Sequence, residues 1–298
     1  MFKKLLFVLF VFVNLSTCFA QTFESNAFYY EVTSSSPPTV KVTGGYDPYL
    51  YFSETVFYDG TEYTVTSIGD NAFAFAYIAD IYIPPTITSI GDYAFTYCFG
   101  TPNLVIPDSV TSLGVGCFEN CFDFQNITLS NSLTNIPDNA FASNYNLISL
   151  AIPEGVTTLG NYSFNNCVAL TSAFLPTSLT TIGLSAFSSC YSLTAVNIPP
   201  NVTSIQSNAF QACNSLNYVD CQIVTPLTIG IDVFQDVNLN AATLHVPSAG
   251  YLAYTSAAVW EDFGNITTDS CFTPIAYTVS GGGSVCGNTV NQYIYLDN

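Results

Sequence analysis

The stretch Leu193-Thr194-Ala195-Val196-Asn197-Ile198-Pro199-Pro200-Asn201-Val202-Thr203-Ser204-Ile205-Gln206-Ser207-Asn208-Ala209-Phe210 contains one whole structural unit. Val196 and Ile198 flank Asn197, the period-two alternation of a half-buried strand. Pro199 has no N–H to give to a ladder and ends that strand. A second short extended piece points Val202 and Ile205 inward. In most units a glycine then permits a tight turn, and an Ala-Phe pair such as Ala186-Phe187 opens a short helical or irregular turn whose ring fills the core.

Three columns repeat this unit in phase. Phenylalanine recurs every 23 residues at Phe95, Phe118, Phe141, Phe164, Phe187 and Phe210, with Phe73 and Phe234 at spacings of 22 and 24. Ile83, Ile106, Leu129, Ile152, Leu175 and Ile198 form a second column, followed by proline everywhere except after Leu129. Ile90, Leu113, Ile136, Leu159, Ile182 and Ile205 form a third. A fixed period of this length means that each unit is one turn of a solenoid, burying its apolar side only against its neighbours. About seven turns at ~4.8 Å give a body roughly 35 Å long.

An open solenoid end exposes an apolar cross-section and unpaired edges, so both ends need caps. Residues 21–65 supply strand-like segments at Thr39 to Thr43 and Leu50 to Tyr58, with a turn at Asp59-Gly60. Residues 66–243 carry the repeats. In residues 244–268, Leu244-His245-Val246-Pro247 repeats the strand-proline step and Tyr251 to Phe263 reads as an amphipathic helix.

Several motifs resemble those of BspA-like leucine-rich-repeat surface proteins, which occur in Bacteroidetes bacteria and some protists. They are Val110-Thr111-Ser112-Leu113-Gly114, Ile90-Gly91-Asp92-Tyr93-Ala94-Phe95-Thr96-Tyr97-Cys98 and the lead-in from Asp59 to Gly69. The ending from Leu244 through Tyr254 to Val259-Trp260-Glu261-Asp262-Phe263 is similar to that family's terminal cap. The resemblance implies a β-rich (α+β) solenoid of 23-residue leucine-rich repeats with parallel strands, an N-terminal β cap and a C-terminal strand-helix cap. Departures fall at Pro137, which replaces a turn glycine, and at Asn144 and Ala76, where cysteine is expected. In residues 269–298, the stretch Ala276 to Gly287 resembles the opening of an adhesin-type β module of secreted Bacteroidetes proteins. Too little chain follows for such a module to fold, so the sequence is expected to be a fragment of a longer protein.

Lys3 and Lys4 precede the apolar run Leu5 to Val13 and the small-residue exit Cys18-Phe19-Ala20, the pattern of a signal peptide over residues 1–20. The run is too short to span a bilayer, which takes ~20 apolar residues, so no membrane insertion is expected after its removal. Leu15-Ser16-Thr17-Cys18 offers a second reading, a lipoprotein box acylated at Cys18. Beyond the leader, Lys41 alone faces twenty-one carboxylates, a formal charge of −20. Nucleic acid is excluded as a partner because nothing basic is present to displace phosphate counterions, and anionic membranes are disfavoured likewise. A 49% hydrophobic content excludes disorder.

Cys98, Cys121, Cys167, Cys190 and Cys213 each lie three residues after a column phenylalanine, with Asn144 in the gap. Parallel Cβ vectors suit bridging poorly, and interchange with asparagine points to buried side chains bonding loop backbone. Zinc needs three or four converging ligands, which a ladder does not give. Cys271 and Cys286 are the disulfide candidates, whereas Cys117 and Cys221 occupy packing columns. His245, the one histidine, falls at an outward strand position with no triad partner. Asp70, Asp92, Asp108, Asp138 and Glu154 are spread over turns without the spacing of a calcium loop. No catalytic residue, metal or cofactor is indicated.

Binding is therefore placed on the outward face of the main sheet. One outward column reads Tyr82, Val105, Thr128, Ala151, Phe174, Asn197 and Asp220; the other reads Asp80, Asn103, Asn126, Ser149, Ser172, Ala195 and Tyr218. Aromatic Tyr82, Phe174 and Tyr218 among short amides and hydroxyls suit contact with an extracellular protein or glycan. The resemblance implies a non-enzymatic adhesion or recognition protein at the cell surface or secreted. Two alternatives stay open: a passive spacer, or a binding module of a larger secreted enzyme.

Overall fold

The computed structural model describes residues 21–268. They form a parallel β-solenoid of about ten turns with little helix. The main face is an eight-stranded sheet that runs from Asn103–Val105 through Asn126–Thr128, Ser149–Ala151, Ser172–Phe174, Ala195–Ile198, Tyr218–Cys221 and Thr243–Val246 to Asn265–Thr268. Its strands pair in parallel at the repeat spacing, for example Ser172 with Ala195 and Ala195 with Tyr218. The stack exceeds seven turns because both ends join it. Tyr49–Tyr51 pairs in parallel with Asp80–Tyr82 at one end, and Asn265–Thr268 adds a rung at the other.

Two prolines interrupt the ladders. In the later turns the amides of Gln125, Ile148, Thr171 and Thr194 each donate to the turn before. Pro102 holds the equivalent position and has no N–H, and the two-stranded and eight-stranded sheets part there. On the narrower face, Gly91, Gly114, Gly160 and Gly183 donate to Ile68, Ile90, Ile136 and Leu159. Pro137 cannot. The narrow sheet splits beside it into one part ending at Ser112–Leu113 and a four-stranded part beginning at Asn135–Ile136.

The turn glycines serve close approach rather than a left-handed bend. A Cβ on Gly114 would lie 2.4 Å from the Asp92 backbone nitrogen. The left-handed conformation falls instead on non-glycine positions, such as Asn139 and Ser143 at φ 56° and 57°. The Ala-Phe segment is irregular, not helical. Its backbone bonds to the next turn, with Phe95 N–H donating to Cys117 and Phe164 N–H to Ala186. Inside, the phenylalanines form a continuous stack from Phe73 to Phe234 at centroid spacings of 5.1 to 5.7 Å.

At the N-terminal end, Thr22–Ser25, Phe28–Ser35 and Pro38–Gly45 form an antiparallel meander. Thr55–Tyr58 and Thr61–Ile68 make a hairpin through Asp59 and Gly60, both at positive φ. Leu50 to Tyr58 is thus two strands, the first already a rung of the stack. At the other end, the helix expected over Tyr251 to Phe263 is reduced to Tyr251–Tyr254 and a 3-10 turn at Trp260–Asp262. Val259, at φ 72°, cannot continue a right-handed helix. Buried Trp260 covers the last phenylalanine, Phe234, edge to face at 6.0 Å.

Candidate functional site

From Asn103–Val105 to Thr243–Val246 the strands of the main sheet alternate buried residues with exposed or half-buried ones, so the two outward columns share one face. Small or short polar side chains dominate it. At the early end, Tyr82 is exposed, and Tyr51 donates its hydroxyl to Asp80 at 2.6 Å. Asn126 donates to Asn103 across one rung at 3.0 Å, beside exposed Thr128. Four of the residues singled out from sequence, Asp80, Asn103, Asn126 and Thr128, therefore lie apart from the aromatic pair Phe174 and Tyr218, as does Tyr82.

At the later end three rungs make a hollow of about 270 Å³, lined by Ser172, Phe174, Ala195, Asn197, Tyr218 and Asp220 among others. Its cause is side-chain size. Phe174, 65% exposed, stands on one rung and Tyr218, 37% exposed, two rungs on, while the rung between carries Ala195. Two rungs separate the aromatic walls by ~10 Å along the stack, and they stand in different outward columns, so the hollow runs diagonally between them. Asn197 is tied down: its Oδ1 accepts from Leu175 N–H at 3.0 Å and its Nδ2 donates to Leu175 carbonyl at 2.8 Å. That amide fixes the floor and has one N–H left to offer. Asp220 pairs with His245 Nδ1 at 2.8 Å, and the His245 ring lies 6.5 Å from that of Tyr218. Asp220 closes the far wall, with His245 opposite it on the next rung; the sequence shows Asp220 as an outward residue but gives no reason to single it out.

The cysteine ladder is internal. Cys98, Cys121, Cys167, Cys190 and Cys213 donate to the carbonyls of Phe73, Phe95, Phe141, Phe164 and Phe187 at 2.9 to 3.3 Å. Asn144 does the same to Phe118 at 2.9 Å and adds Phe141 at 2.8 Å. Burial pushes the Cys167 and Cys213 thiols up to about 12, so both remain protonated donors. All seven cysteines in the described residues are free thiols, including Cys117 and Cys221. Cys271 and Cys286 lie outside the described residues. Asn144 also buries an Oδ1 with no partner, at a cost of about 1–3 kcal/mol. Asn144→Cys is therefore expected to raise stability by about 1 kcal/mol, because the thiol keeps a donor and removes the orphan acceptor. Asn144→Ala, which leaves the Phe118 carbonyl unserved while Cys167 still donates to Phe141, is expected to lower it by about 1–3 kcal/mol. Chemical denaturation of both variants checks the pair.

Among the described residues no group of three or more His, Cys, Asp or Glu is placed to hold a metal, and no helix is long and apolar enough to cross a membrane.

These features define a leucine-rich-repeat solenoid whose broad sheet carries one aromatic-walled hollow. The chain matches, over residues 66–190 and 134–255, a family model described as the BspA type leucine rich repeat region, with six copies, and it belongs to that family. Solved structures with similar chains include a leucine-rich repeat protein from Bacteroides ovatus, at 22% identity over 83% of this chain and 67% of that one, with a TM-score of 0.49. Another is a leucine-rich repeat protein from Eubacterium ventriosum, at 29% identity over 50% of this chain, with a TM-score of 0.47. The match covers 41% of that protein's length. A third is a leucine rich cell surface protein from Faecalibacterium prausnitzii, at 18% identity over 83% of this chain and 94% of that one, with a TM-score of 0.36. No curated protein matches the chain.

Proposed function

We propose that the protein is exported by residues 1–20 and works at or outside the cell surface as a non-enzymatic binding protein. It recognises an extracellular protein or glycan through the outward face of the main sheet. The observation that carries this reading is the hollow between Phe174 and Tyr218, where one small rung lies between two aromatic walls on a largely polar surface. A flat ring or apolar side chain seated there meets an aromatic ring at each end, while Ser172 supplies a polar contact at the rim and the Asn197 amide one from the floor. Membership of the family supports a binding role, and the cell-surface description of the Faecalibacterium protein supports the location.

The test is a screen of the exported chain against extracellular-matrix proteins and a glycan array, repeated with Phe174→Ala and Tyr218→Ala. Each substitution is expected to weaken specific binding at least tenfold, since a buried aromatic anchor contributes about 2 kcal/mol or more. Tyr82→Ala, at the far end of the sheet, is expected to change it less than threefold. Specific binding that survives both hollow variants would place recognition elsewhere.

A further inference from the structure

A second surface lies along the turns that follow the column phenylalanines, away from the sheet face. Phe75, Tyr77, Tyr97, Phe99, Phe122 and Tyr145 line up there as a ridge over four consecutive turns. Phe75 stacks on Tyr97 at 5.0 Å and Phe122 on Tyr145 at 5.2 Å. Between them, Tyr97 meets Phe122 at 74° and Tyr77 meets Phe99 at 53°, crossings that leave ring faces uncovered by one another. Phe75 is 69% exposed and Tyr77 54%. Apart from Tyr191, the same two columns continue as Asn166, Val168, Ser189, Ala212 and Asn214, so the ridge belongs to the first turns and is not a requirement of the repeat.

Its backbone is costly. Phe75 and Tyr97 sit at φ 64° and 58°, the left-handed conformation held elsewhere in that column by Asn120, Ser143, Asn166 and Ser189. Asparagine takes that conformation readily, whereas a bulky aromatic there is an outlier.

The charge around the ridge indicates the partner. Asp123 accepts the Gly100 N–H through its carboxylate at 2.8 Å, next to Phe99, and so brings a negative charge to the ridge. Among the described residues the one Lys or Arg is Lys41, and it is already paired with Glu31 at 3.1 Å. A second copy of the chain would bring a further −20 to the same place.

We propose that this ridge is a separate binding surface for a lysine- or arginine-bearing segment of a partner protein. The cationic groups lie against the aromatic faces and Asp123 neutralises one of them. The proposal stands independently of the sheet-face reading.

The test compares binding of a fluorescent arginine-rich peptide, at physiological salt, to the exported chain and to a ridge variant. The variant carries Phe75→Ser, Tyr77→Val, Tyr97→Asn, Phe99→Asn, Phe122→Val and Tyr145→Asn, residues the chain itself uses in these columns, and its net charge is unchanged. The peptide is expected to bind the variant at least tenfold more weakly. Asp123→Asn alone is expected to weaken it several-fold, and Phe174→Ala with Tyr218→Ala to leave it unaltered. Equal affinity for parent and ridge variant would reduce the attraction to bulk charge and overturn the proposal. It would also be overturned by no peptide binding to the parent, by neutral oligosaccharide binding that the ridge variant loses, or by self-association on sedimentation that the ridge variant abolishes.

Discussion

Replacing Phe164 by alanine is expected to destabilise the solenoid by about 3–5 kcal/mol. The ring is fully buried and lies between Phe141 at 5.5 Å and Phe187 at 5.4 Å, nearly parallel to both. Each turn touches only its neighbours, so the cavity weakens two interfaces at once and no distant contact compensates. The stacking geometry adds about 0.5–1.5 kcal/mol per ring pair beyond the area removed from water. Guanidinium unfolding of the variant measures the loss, with Phe57→Ala as the control at an exposed ring. A loss below about 1 kcal/mol would mean that the core is not the continuous stack described, since exposed sites alone show effects that small.

Trp260→Ala is expected to cost a similar amount, about 3–5 kcal/mol, with a different spatial signature. Trp260 donates its indole N–H to Leu227 at 2.8 Å and packs edge to face on Phe234 and Tyr254. Its removal uncovers the last phenylalanine of the stack and frees the strand Asn265–Thr268 beside it. In a one-dimensional repeat the damage spreads from the end inward. Hydrogen exchange should therefore accelerate first in Thr243–Val246 and Tyr218–Cys221, while Ser149–Ala151 keeps its protection. Uniform acceleration along the chain would show that Trp260 is not acting as a cap.

The architecture was legible because it depends on periodicity, and periodicity survives in a single sequence. The 23-residue phenylalanine column became the buried stack, and the strand alternation around Asn197 set which side chains face out. The interruption at Pro137 was visible as a departure, although its effect, a split in the narrow sheet, needed the neighbouring amide bonds. The C-terminal helix was misread for a local reason: the apolar spacing from Tyr251 to Phe263 suits a helix, but the chain turns left-handed at Val259.

The hollow and the ridge were less accessible. Phe174 and Tyr218 could be named as outward aromatics, but the hollow arises from the absence of bulk at Ala195, which no motif records. The ridge lies in turns where side-chain direction depends on left-handed backbone at Phe75 and Tyr97, and strand periodicity says nothing about that. Its one sequence signal is the recurrence of aromatics two and four residues after the column phenylalanine, at Phe75, Tyr77, Tyr97 and Phe99, while later turns mostly carry Asn, Ser or Val.

Sheet-face recognition is tested most directly by hydrogen exchange of the exported chain with and without the ligand recovered from the protein and glycan screen. Added protection is expected on Ser172–Phe174, Ala195–Ile198 and Tyr218–Cys221, the three rungs that form the hollow. Protection confined to other strands or to the turns, with these three rungs unchanged, would contradict it.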